Sequence, residues 1–219
     1  YWIDEIRFDD GTIWTRSSLT GAVVPYTNGD DRIYGTNDAE TLRAGAGNDW
    51  INGRGGNDTI IGGTGNDTLG GGSGNDTYIF NRGDGQDTID GGDGNDNIDA
   101  GDGQDSVDGG DGDDVINAGD GLDTVNGGAG ADNINGMSGT DLLNGNADND
   151  TILGGSEDDT VNGGDGNDIV NGQAGNDTVN GDAGDDTGYG GGGRDSILGG
   201  DGDDIINGQS GNDTLDGGT

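Results

Sequence analysis

Acidic residues recur every nine positions in this chain, and each closes a hexapeptide turn such as Gly62-Gly63-Thr64-Gly65-Asn66-Asp67. The acid falls at 31, 40, 49, 58, 67 and 76, then, after one eleven-residue step, at 87 and at every ninth position to 213. All are Asp except Glu40. Glycines that adopt φ > 0 can turn their carbonyls toward a common centre, so a carboxylate beside them completes an all-oxygen ligand set. That set suits Ca²⁺, with its six or more ligands, better than Mg²⁺, which demands tight octahedral geometry. Zinc is disfavoured because the chain has neither His nor Cys.

The elements that must hold these acids follow from the same period. Two residues after each acid stands one apolar residue, beginning Ile33, Leu42, Ile51 and ending Ile197, Ile206, Leu215, with Gly188 the single exception. β-Branched residues dominate there, as pleated strands prefer. Three residues alternating out, in, out make a very short strand, and glycine at this density excludes a helix. Each nine-residue unit then gives one turn and one strand, and two units give one coil. Leu42, Ile60, Tyr78 and Ile98 enter one sheet; Ile33, Ile51, Leu69 and Ile89 enter the other. Parallel stacking at ~4.8 Å makes about ten coils into a rod of roughly 45–50 Å.

Acids eighteen residues apart thereby meet on successive coils of one seam. Without a cation this is like-charge repulsion along both edges; a divalent ion turns it into bridging. Twenty-one turns stacked two to a coil offer nineteen such pairs. The expected metal ligands are Asp49, Asp58, Asp67, Asp76, Asp87, Asp96, Asp105, Asp114, Asp123, Asp132, Asp141, Asp150, Asp159, Asp168, Asp177, Asp186, Asp195, Asp204 and Asp213. The first turns, ending at Asp31 and Glu40, lack the glycines and are doubtful sites. Arg54, Met137, Asn146, Gln173, Asp182 and Gln209 replace the second glycine of their turns, and Asp38, Asp148 and Glu157 the later one. Asp is less at ease than Gly at φ > 0, and Glu less again, so weak or empty sites are expected between Met137 and Asp159. Arg194, beside Asp195, is expected to be solvated.

Composition sharpens the picture. The formal charge is -38, with 55 Gly and only 26% hydrophobic residues. Those values alone describe a disordered chain, but a fixed period of this length overrules them. A core one side chain wide is too thin to hold the coil alone, so bound metal is expected to contribute much of the stability. Nucleic acid and anionic membranes are excluded as partners by the charge. No apolar run approaches the ~20 residues of a spanning helix, so membrane insertion is not expected. Without Cys there are no disulfides. No signal peptide is visible, and the start at Tyr1 suggests a piece of a longer protein. Identical carboxylate copies do not make one differentiated acid/base pair, and with no His or Lys the chain is not expected to be an enzyme.

Residues 1–27 differ from the array at 28–219. Trp2–Phe8 and Thr12–Thr15 flank Asp10-Gly11 and read as a β-hairpin. Residues 17–27 read as a connector, and the whole segment as a hydrophobic end cap.

The motif G-G-x-G-x-D-x-(apolar)-x resembles the repeats-in-toxin (RTX) family of haemolysin-type calcium-binding repeats, over residues 28–219. Gly71–Asp87 resembles a longer variant of the repeat, in which Phe80 would join Tyr78 inside. Ile6–Thr15 is similar to a segment found between repeat blocks. The resemblance implies an all-β, right-handed parallel β-roll, a two-sheet solenoid with a short N-terminal hairpin. It also implies Ca²⁺ held between turns by the final Asp and backbone carbonyls, and type I secretion to the cell exterior or surface. The array would stay unfolded in the low-calcium cytosol and fold outside. Two uses fit such a module. It is either part of a larger exported protein or a structural subunit (filament, stalk, surface layer, adhesin) that self-assembles end to end through its open β-roll ends.

Overall fold

The computed structural model describes residues 5–7, 13–15, 27–80 and 84–219. From Arg32 onward the chain is a succession of short strands joined by tight turns, with no helix among the described residues. Alternate strands enter two parallel sheets of eleven strands each. Neighbouring strands are offset by one coil: Thr124 lies opposite Leu142, Leu142 opposite Thr160, and Thr160 opposite Thr178. The offset lengthens where the eleven-residue step intervenes, so that Thr68 faces Thr88 and Thr77 faces Asn97. The result is a β-solenoid of about ten coils, the parallel β-roll that the period implies.

The apolar residue of each unit points between the sheets. Ile33, Ile60, Ile116, Leu143 and Val179 are fully buried, and Tyr78 and Phe80 lie together inside, as expected of the longer repeat. Gly188 leaves no hole. A Cβ there would stand 3.1 Å from Ile197 Cγ2 of the facing sheet and 3.4 Å from Ile206 Cγ2 of the next coil, so neighbours already fill the place. The core thins at the last coil, where Ile206 is partly buried and Leu215 is 48% exposed.

Most strands are twice the expected length. Thr68–Ser73 and Thr124–Ala129, each of six residues, are typical. The cause is the stacking of near-identical turns. Their backbone groups stay opposite one another around the corner, so Gly45 pairs with Gly63 and Gly110 with Gly128. The ladder even continues into the turn, where the Gly74 N–H donates to the Asp93 carbonyl at 2.6 Å. A second inward position therefore follows two residues after the apolar one. Glycine occupies it in most coils; Ala44, Ala100 and Ala118 occupy it in three, each fully buried.

Positive φ is concentrated at the second and fourth turn positions, as at Gly63 and Gly65. Arg54, Met137, Asn146, Asp148, Glu157, Gln173, Asp182 and Gln209 hold φ between 63° and 80° at those same positions. Every one is a residue that replaces a repeat glycine. Asp38 alone of the expected set is not among them. The segment from Met137 to Asp159 therefore keeps the turn shape at a cost in strain, rather than losing it.

On the outer face of one sheet, Asn126, Asn144, Asn162 and Asn180 stack in register. Their amides form a ladder, with Asn144, Asn162 and Asn180 Nδ2 each donating to the Oδ1 one coil earlier at 3.0, 2.8 and 2.6 Å. Near the N-terminal end the rings of Tyr34 and Trp50 lie 4.9 Å apart, with the Arg54 guanidinium 5.4 Å from the Tyr34 ring centre. Glu5–Arg7 pairs antiparallel with Ile13–Thr15, Ile6 opposite Trp14. The Asp10-Gly11 turn, the connector up to residue 26 and the end-cap role lie outside the described residues. No described helix is long and apolar enough to cross a membrane.

Candidate metal centres

The closing Asp of each turn ends an outward loop and starts the next strand, which swings its side chain back under the turn. Its backbone is fully used. The carbonyl of Asp105, for instance, accepts from the Thr124 N–H at 2.9 Å. Its N–H donates to Oδ1 of the Asp one coil later, Asp123, at 2.8 Å. This second bond repeats along both seams, from Asp31 to Asp49 at 2.7 Å through to Asp195 to Asp213 at 3.1 Å. All nineteen Asp expected as ligands accept it. Successive carboxylates therefore do not face each other bare: each is tied to the main chain of its neighbour by one oxygen.

The other oxygen has no such partner. Oδ2 of the eighteen Asp from Asp49 to Asp204 is buried and accepts no hydrogen bond. Asp213, at the last coil, is half-buried. The inward glycine shows what Oδ2 faces. A Cβ placed on Gly154 would fall 2.6 Å from Asp159 Oδ2 and 2.7 Å from the Gly172 carbonyl oxygen of the next coil. Gly163 is similar, with Asp168 Oδ2 and the Gly181 carbonyl oxygen converging over it. Two acceptors thus meet with no donor between them, in a cradle that a methyl group would fill. Buried polar atoms are almost always paired; a line of acceptors without donors has the chemistry to hold positive charge. Hard oxygen donors fit Ca²⁺. No group of three or more acidic side chains converges among the described residues, so main-chain carbonyls must supply most of each shell.

The acid-base properties agree. Burial, opposed by the backbone hydrogen bond and reinforced by neighbouring carboxylates, raises Asp58 and Asp123 to about 6, and Asp105, Asp132 and Asp159 to about 7, from 3.8. The resting carboxylates are held in a place that disfavours their charge.

The first turn of each seam is built differently. Asp31 Oδ2 accepts from Thr27 Oγ1 at 2.7 Å and from the Thr27 N–H at 3.3 Å. Glu40 accepts from the Thr36 N–H at 2.8 Å and from Thr36 Oγ1 at 2.6 Å. The sequence reading marked both turns as doubtful sites but missed these threonines, whose signal is a hydroxyl four residues before each acid. It also missed the three inward alanines, and Asp84, which is buried in the longer turn and raises Asp67 and Asp87. Arg194 is exposed as expected, and its N–H donates to Asn176 Oδ1 at 3.0 Å.

The family model for the RTX calcium-binding nonapeptide repeat matches the chain in eight segments that together cover residues 27–219. The chain belongs to the RTX calcium-binding nonapeptide repeat family. The orphaned acceptors are thus those of RTX calcium-binding repeats, on a fold that is a structural repeat. No curated protein matches the chain.

Proposed function

We propose that this RTX β-roll is a calcium-dependent folding module of an exported protein, a coil where calcium is scarce and a rod outside the cell. One observation carries the reading: eighteen buried carboxylate oxygens without a donor. In a chain of net charge -38, closing these seams without cations sets acceptor against acceptor at every turn. The ligands are the Asp series from Asp49 to Asp204, with Asp213 at the last coil, together with glycine carbonyls of adjacent coils. Bound Ca²⁺ supplies positive charge there. The residues supply the rest: Oδ1 locks one coil to the next, Oδ2 is aimed at the cradle, and the inward glycine leaves room for it. Calcium stays in solution until the coil forms, so its binding free energy becomes folding free energy. Every copy is chemically alike, which favours a binding and folding role over catalysis.

Calcium titration followed by circular dichroism tests the reading. A coil spectrum in chelator that becomes β in one cooperative transition is expected. A β spectrum unchanged by excess chelator contradicts it.

A further inference from the structure

The first closing acid of each seam, Asp31 (buried) and Glu40 (half-buried), differs from the later ones in accepting hydrogen bonds from its own turn. Thr27 and Thr36 each give a hydroxyl and a backbone N–H to the acid four residues on. In the later acids, from Asp49 to Asp204, Oδ1 accepts from the preceding coil but Oδ2 has no donor. Both threonines stand at the second turn position, where most later turns place Gly or a residue at positive φ, and neither has positive φ. The hydroxyl therefore occupies the carboxylate that a cation would otherwise neutralise. The same coil still joins the rest of the seam, since the Asp31 and Glu40 N–H groups donate to Asp49 and Asp58 Oδ1 at 2.7 and 2.9 Å.

We propose that Thr27–Asp31 and Thr36–Glu40 form a metal-independent cap, and that calcium-driven coiling is templated from it toward the C-terminus. The cap takes no ion. It presents a finished coil whose N–H groups receive the next pair of carboxylates, so the first calcium sites form against an existing wall. This rests on the calcium-folding reading above. It also runs against the simplest expectation for a rod, whose end coils have one neighbour instead of two and should fray first; the last coil, with Leu215 exposed, is such an end.

The test is amide hydrogen exchange by mass spectrometry on the whole chain across a calcium series. Peptides covering 27–55 should reach half-protection at about threefold lower calcium than peptides covering 141–195. The double variant Thr27→Val, Thr36→Val should lose that lead, and Thr27→Ser, Thr36→Ser should keep it. The cap is overturned if the N-terminal peptides protect together with or after the rest in the parent chain, or if the lead survives valine. Should the valine chain not fold, the parent and serine chains decide by the same order. Protection that ignores calcium throughout sinks the folding reading and the cap with it.

Discussion

A closing Asp does two separate jobs with its two oxygens. Oδ1 is a structural acceptor, bonded to the main chain of the preceding coil, and Oδ2 is left for the ion. Neutralising the residue removes the second job while keeping the shape. Asp114→Asn and Asp132→Asn, on adjacent coils of one seam, should each cost about 1.5–3 kcal/mol of calcium-bound stability, the range for hydrogen bonds to charged groups. They should raise the calcium midpoint several-fold. Asp148→Asn, at an exposed site, should stay within about 0.5 kcal/mol. Equal shifts for all three would count against the buried series as the ligands.

The inward glycine sets a finer distinction between sites. At Ala44, Ala100 and Ala118 a methyl group occupies the register position over which Oδ2 and a carbonyl converge elsewhere. All three precede Asp of the same seam: Asp49, Asp105 and Asp123. Overpacking of this kind costs about 1–3 kcal/mol, more than the ~0.5–1 kcal/mol that glycine loses in chain entropy. Ala100→Gly should therefore lower the calcium midpoint and Gly109→Ala should raise it, as read by isothermal titration. A neutral Gly109→Ala would show that the cradle is roomier than its geometry indicates.

At the scale of strand and turn, local strain and lateral bonding decide the differences between coils. Met137 and Glu157 hold positive φ without the glycine that suits it. Restoring the repeat residue, as Met137→Gly or Glu157→Gly, should relieve about 1 kcal/mol of strain, seen as a higher melting temperature in saturating calcium. A lower melting temperature would mean that the side chains hold contacts outweighing the strain. These positions were legible in the sequence because a broken nine-residue pattern marks them, and a φ > 0 requirement follows from what the pattern normally puts there. The sheet assignment was legible for the same reason, since Ile98 and Ile116 follow from a count of residues. Strand length was not, because the pairing of Gly45 with Gly63 depends on two turns lying one above the other, which no single turn reveals. The Thr27 and Thr36 caps were obscured because they replace the motif instead of varying it. The asparagine ladder from Asn126 to Asn180 was hidden because its members are eighteen residues apart and separated in sequence by strands of the other sheet.

Taken as a whole, the molecule carries a proton-linked balance alongside the calcium-linked one. Folding raises Asp58 from 3.8 to about 6, and Asp105 and Asp132 to about 7. The folded metal-free chain therefore holds more protons than the unfolded one between about pH 4 and 7, and its stability is greatest below that window and lost as pH rises through it. In chelator, β structure should grow as pH is lowered from 8 toward 4. Protons bind the folded metal-free rod and not the unfolded chain in this range, so the calcium midpoint of folding should move downward, not upward, between pH 8 and 6. Circular dichroism checks both, and a chelated chain indifferent to acid would contradict the burial on which the shifts depend.

The uniform eighteen-residue register also makes the rod a string of interchangeable links. Excising 142–159 would join Asp141 to Thr160 and hand every later strand to a partner of the same kind, so a rod shorter by one link should melt close to the parent. Excising only 142–150 would transpose everything downstream to the opposite wall and carry Asn162 and Asn180 away from Asn126, and that chain should melt lower. Growth or shrinkage of such a molecule is thus quantised in pairs of repeats.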